Sequence, residues 1–209
     1  MAVEHLQRHF GLTVSGQTPR LPALRVVAYS LGIIAVFFVG SILESRLRFT
    51  GYGEAFGAIP VLVCALFVRR LPPAAPITIG WGWRALLLAL PLGLLPLADL
   101  RFPEFSAAQA TVWMVVLAQT LGIGVSEELT FRFGLHRLWS HYGAIFYVVA
   151  SSAVFGALHY PLGLQASIIT AIIGATLAAS RAAGMPLVPL ILFHAFLDAP
   201  MIYRSMSMV

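Results

Sequence analysis

Residues 105–132 read FSAAQATVWMVVLAQTLGIGVSEELTFR, an apolar segment that runs straight into Glu127, Glu128 and, one helical turn on, Arg132. An ionised side chain in hydrocarbon costs about 3 kcal/mol or more, so residues of this kind mark a functional site by default. On a helix, Glu128 and Arg132 are four residues apart and can pair on one face. Glu127 then points about 100° away, leaving its carboxylate to face a cavity. Ser126 either caps a helix start or lies inside one helix that continues through the motif, since the apolar run reaches Val125. Taken alone, the motif also fits an ordinary interfacial salt-bridge cluster at the end of a span.

The rest of the chain shares this apolarity. It is 59% hydrophobic and 10% charged with a mean hydropathy of +0.89, which points to membrane solvation rather than an oversized water-soluble core. Apolar runs place spans at about 26–43, 55–68, 85–98, 105–125, 143–159, 161–180 and 185–203. The first is long enough to cross at ~1.5 Å per residue, while the second and third are short cores that need flanking residues or local thinning. The expected fold class is all-α, a polytopic transmembrane helix bundle of about seven spans, with six or eight also fitting the soft boundaries. Residues 1–25 read as a cytosolic amphiphilic leader without a cleavage site, and 26–209 as a single transmembrane domain.

Seven spans starting from a cytoplasmic N-terminus put Arg8, Arg20, Arg25, Arg69, Arg70, Arg84, Arg132, Arg137 and Arg181 inside, nine of thirteen arginines. Arg46, Arg48, Arg101 and Arg204 fall outside. The net charge of +5 suits contact with anionic lipid, and no dense basic tract with interleaved aromatics suggests a nucleic-acid partner. Prolines at 72, 73 and 76 make 69–84 an interfacial loop between bundle halves, and Gly32, Gly40, Gly163 and Gly174 allow close helix approach. Cys64, the only cysteine, reads as a small packed hydrophobe.

Two histidines complete the polar inventory. His159 ends FYVVASSAVFGALH with Phe155 four residues earlier on the same helical face; such a histidine can serve chemistry or simply bond a backbone carbonyl. His194 sits within PLILFHAFLDAP with Asp198 one turn later, so both side chains can face one cavity, as a working pair or as a structural one. Ionisable groups from three hydrophobic segments can converge in a helix bundle. A carboxylate and a histidine around water make a general base, and a second histidine near a carbonyl oxygen can steady negative charge.

Glu127-Glu128-x-x-x-Arg132, Phe155-x-x-x-His159 and His194-x-x-x-Asp198 resemble, in the same order, the three motifs of the CPBP family, the CAAX-protease and bacteriocin-processing group of intramembrane proteases. The resemblance spans roughly residues 110–203, the recognisable catalytic core, and FRFGLHRLW after the acidic pair adds to it. It implies a glutamate-dependent intramembrane endopeptidase, multi-pass in a bacterial inner membrane, with neither metal nor cofactor. Such an enzyme would hydrolyse a peptide bond near the C-terminus of a membrane-associated protein or peptide. By the same resemblance Glu127 is the water-activating glutamate, His159 holds or polarises that water, and His194 lies beside the scissile carbonyl at the oxyanion site. Glu128, Arg132 and Phe155 are supporting residues. Asp198 stands where the prenyl-protein proteases of the family have Asn. A neutral amide can donate to an oxyanion and an ionised carboxylate cannot, so Asp198 is expected to orient and charge His194 or to be protonated.

Other readings fit some of these residues. Glu and His can bind zinc in a metal-dependent membrane protease, although no His-Glu-x-x-His pair is present. Glu127, Glu128, His159 and Asp198 can also line a proton or cation path in a transporter, and a non-catalytic immunity or scaffold protein can retain the same side chains.

Overall fold

A computed structural model of the chain describes residues 22–47, 74 and 107–207. The spans expected at 55–68 and 85–98, most of the 69–84 loop, residues 1–21 of the leader and Cys64 lie outside the described residues. Among the described residues there is no strand. Chains that face hydrocarbon must bond every backbone N–H and C=O within the segment, and helices do so.

Helix α1 runs Ala23–Leu47 and α2 Ala107–Glu128. A π-helical segment, Leu129–Leu135, leads on into the short α3, His136–Trp139. Helices α4, Ala144–Leu158, and α5, Leu164–Ala182, are joined by a 3-10 turn, and α6 is Leu187–Ser207. Each of the apolar runs read at 26–43, 105–125, 143–159, 161–180 and 185–203 thus has a helix over most of its described residues. By length and composition Ala110–Tyr142 and Leu164–Ala182 can cross a membrane, and Ala23–Val39, Ala144–Leu158 and Leu187–Tyr203 are shorter apolar helices. Leu24, Met114, Ile145, Val149, Leu192 and Phe196 are exposed on their outer faces. Apolar exposure on this scale marks contact with lipid or a partner rather than with water.

Two antiparallel helix pairs form the frame. In the first, Trp113 near the start of α2 stacks on Tyr203 near the end of α6, with ring centroids 4.5 Å apart. Further along, Gly124 brings α2 against Ile191 and Ala195 of α6. In the second pair, α4 meets α5 at Gly156, where an added Cβ would lie 2.6 Å from Ala171 Cβ and 2.7 Å from the Ser167 carbonyl oxygen. Ser167 Oγ donates to the Gly156 carbonyl across this contact at 2.7 Å. Backbone atoms cannot move aside there, so Gly156→Ala is expected to destabilise the fold by about 1–3 kcal/mol, measured as a lower unfolding midpoint in detergent.

The π-helical segment sits between these pairs. Phe131 and Leu135 share one core with Val26, Ile33 and Phe37 of α1, Tyr147 and Phe155 of α4, and Ala178 and Ala182 of α5. Trp139 Nε1 donates to Ser30 Oγ at 2.8 Å, tying α3 to α1. Helix α5 ends in a Schellman motif: Met185 N–H bonds the Ser180 carbonyl and Gly184 N–H the Arg181 carbonyl. Gly184 holds a φ of 90°, which a residue with a Cβ adopts only with strain.

The acidic motif differs from one expectation. Ser126 does not cap a helix; its hydroxyl donates back to Ile123 O at 2.9 Å within a continuing helical stretch. Arg132, read from sequence as the helical partner of Glu128 and counted among the inner-side charges, is fully buried in the bundle.

Candidate active site

Helix α2 delivers Glu127 and Glu128 at its last turn, and α6 delivers His194 opposite them. Glu128 Oε1 lies 2.8 Å from His194 Nδ1, and Glu127 Oε2 lies 3.3 Å from His194 Nε2. Asp198, one turn along α6, approaches the same Nε2 at 3.5 Å. One imidazole therefore meets three carboxylates. Glu127, Glu128 and His194 are buried, whereas the Asp198 side chain is 33% exposed and forms the open side of the cluster.

Arg132 fixes the deeper carboxylate. Its Nη1 is 3.2 Å from Glu128 Oε1, and its Nη2 donates to the Gly174 carbonyl of α5 at 3.1 Å. The guanidinium also lies over the Phe155 ring, 4.8 Å from its centroid, an orientation in which the ring quadrupole favours a cation. Glu128, held by that cation, is an acceptor for the Nδ1 proton of His194. This sets which ring nitrogen faces Glu127 and Asp198.

Phe155 is the wall common to all of these groups. Its ring packs edge-on to His194 at 5.8 Å and to Phe131 at 5.0 Å, and tilted against His159 at 4.8 Å. It fits because residue 174 is glycine: a Cβ there would lie 2.9 Å from Phe155 Cδ1.

His159 is placed differently from His194. Its Nδ1 donates to the Phe155 carbonyl at 2.8 Å, the local backbone bond open to a lone membrane histidine, and no hydrogen bond or ion pair among the described residues joins it to Glu127. The donation leaves Nε2 of the neutral ring as an acceptor. His159 is half-buried and near enough to Asp198 to interact with it through space.

Residues 109–200 match the family model described as type II CAAX prenyl endopeptidase Rce1-like. Over that segment the chain is similar to the CPBP, or CAAX-protease, family. This is a family of membrane-embedded peptidases, and the matched segment contains Glu127, Glu128, Arg132, Phe155, His159, His194 and Asp198. No curated protein and no solved structure matches the chain.

Within the matched segment, some contacts had no sequence signal. The motif spacings place Glu128 with Arg132 and His194 with Asp198, each four apart, but carry no information on the pairing of Glu128 with His194 between α2 and α6. Gly174 reads in sequence as a packing glycine and Arg181 as an inner-side charge. In the fold the Gly174 carbonyl binds Arg132, and Arg181 Nε donates to the Arg132 carbonyl at 3.0 Å. Among the described residues, no group of three or more His, Cys, Asp or Glu side chains is arranged to hold a metal ion.

Proposed function

We propose that this chain is a glutamate-dependent intramembrane endopeptidase that cuts near the C-terminus of a membrane-associated protein or peptide. The observation that carries the reading is the convergence of Glu127, Glu128 and Asp198 on His194 inside an apolar bundle. Burial of this many ionisable groups would be wasteful for packing alone. Glu127 acts as the general base and takes a proton from a water molecule, whose oxygen attacks the scissile carbonyl carbon. His159 steadies that water through Nε2, the ring nitrogen left free by the Phe155 bond. His194 Nε2–H stabilises the resulting oxyanion, and Glu128 with Arg132 holds the ring in register. The C–N bond then breaks as Glu127 returns its proton to the departing amine.

The substrate class follows from the surroundings. Apolar outer faces suit lateral access of a hydrophobic chain from the bilayer, with its peptide bond reaching the exposed Asp198 side of the cluster. In this reading the protein is a multi-pass component of a bacterial inner membrane with about seven spans. A leader at 1–25 precedes a single domain at 26–209, whose catalytic core is 110–203. The charged loops contact anionic lipid.

The test is cleavage of a C-terminally tagged library of membrane peptides, prenylated and unmodified, by purified protein in nanodiscs. Cleavage near the C-terminus that survives chelation supports the proposal. Loss on chelation with recovery on adding zinc assigns the chemistry to a metal instead. Asp198 offers a finer check. Asp198→Leu is expected to lower kcat by roughly 100-fold through misplacement of His194, whereas Asp198→Asn, which keeps a polar group of the same shape, stays within about tenfold of wild type.

A further inference from the structure

Arg181 occupies the last turn of α5, and its guanidinium reaches two separate stretches of backbone. Nε donates to the Arg132 carbonyl at 3.0 Å and Nη1 to the Met185 carbonyl at 2.7 Å. Met185 is the residue whose N–H closes the Schellman motif on Ser180, so the guanidinium is anchored to the fixed end of its own helix. Arg132 in turn sends Nη2 to the Gly174 carbonyl, two turns earlier on α5. Positions 174 and 181 are seven apart and share one helical face. One face of α5 therefore grips Arg132 twice: a carbonyl holds its side chain, and a side chain holds its carbonyl.

The grip falls where the helix departs from α geometry. In an α-helix the His136 N–H would bond the Arg132 carbonyl; here it bonds Phe133 O. The Arg132 carbonyl is met from outside by Arg181. The His136 bond to Phe133 O closes the end of the π-helical segment Leu129–Leu135, whose wide turns cost helix geometry and occur frequently at functional sites. This segment begins directly after Glu128 and carries Arg132, the cation that holds Glu128 against His194.

We propose that Arg181 is a positioning residue for the peptidase reaction. By holding the Arg132 carbonyl it keeps the wide turn in place, and with it the Glu128 to His194 bond. The inference rests on the hydrolytic role given to that pair above, but its structural half can be read without substrate. A purely topological role would need only a positive charge at this helix end, so Arg181→Lys would satisfy it. The positioning role needs a planar fork spanning two carbonyls, which one ammonium group does not supply.

The experiment uses the full chain in nanodiscs with nitrogen-15-labelled histidine rings, the His194 signal being assigned by its loss in His194→Gln. In wild type the Nδ1 proton should resonate far downfield, as expected of a short charge-assisted bond to a carboxylate. In both Arg181→Met and Arg181→Lys it should move upfield or broaden away, while the His159 signal, set by its local bond to Phe155, stays. Where a cleaved peptide is in hand, kcat should fall on the order of 100-fold with KM little changed. An unmoved His194 signal in both variants overturns the proposal, as does a wild-type signal in Arg181→Lys alone. If only Arg181→Lys folds, its spectrum decides. If neither folds, Arg181 is a folding determinant and the positioning role is rejected. Absence of cleavage by wild type counts against the peptidase reading and leaves the spectral result standing.

Discussion

Glu127→Gln is expected to reduce peptide cleavage by about 100- to 10,000-fold while leaving the protein folded, the range ascribed to a positioned general base. The amide keeps the size of the carboxylate and can still reach His194 Nε2, now 3.3 Å from the carboxylate oxygen, so packing is preserved. What it loses is the capacity to accept a proton from water and pass it to the amine. Wild type and variant should be compared at matched concentration in nanodiscs, with unfolding midpoints recorded alongside. Cleavage that persists undiminished in the variant would remove Glu127 from the chemistry and with it the proposed mechanism. Comparable loss in Glu128→Gln is expected for a different reason, since that change weakens the bond that orients His194.

Arg132→Met should produce the largest stability change, a loss of about 3–5 kcal/mol, the scale on which removing one partner strands a buried charge. Arg132 and Glu128 are both fully buried, and the guanidinium also binds Gly174 O and lies over Phe155. A methionine fills much of the volume but leaves Glu128 with only His194 beside it. Chemical denaturation in detergent measures the loss. The double variant Glu128→Gln, Arg132→Met should recover part of it, because the stranded charge is gone; a double variant no better than the single one would show that the cost is packing rather than electrostatics.

The helices at 143–159, 161–180 and 185–203 were legible to within a few residues, since each is a long apolar run bounded by Gly143, Gly163 or Gly184. The contacts within one helix were legible for the same geometric reason: residues four apart meet, as Glu128 does Arg132 and His194 does Asp198. Contacts between helices were not. Which carboxylate takes which nitrogen of His194 depends on the axial register of α2 against α6, set by the close approach at Gly124 and the Trp113 to Tyr203 stack. The π-helical segment left no trace in the periodicity because its cause lies elsewhere in the chain, in the donors and acceptors of α5. For Arg132, sequence showed the charge and its pairing with Glu128, and only the fold supplies the further partners, the Gly174 carbonyl and the Phe155 ring, among which it is buried.

The wide turn at Leu129–Leu135 also makes this stretch intolerant of changes in length. Removing a single residue there would let the backbone wind down to ordinary pitch, which keeps the helix beyond it in about the same direction but re-aims the side chains inside the segment. Trp139 would still face Ser30, but Arg132 would lose either its carboxylate or its hold on α5. Functional relatives of this chain should therefore vary between the acidic pair and Trp139 by exchanging side chains, and should leave the residue count between them untouched.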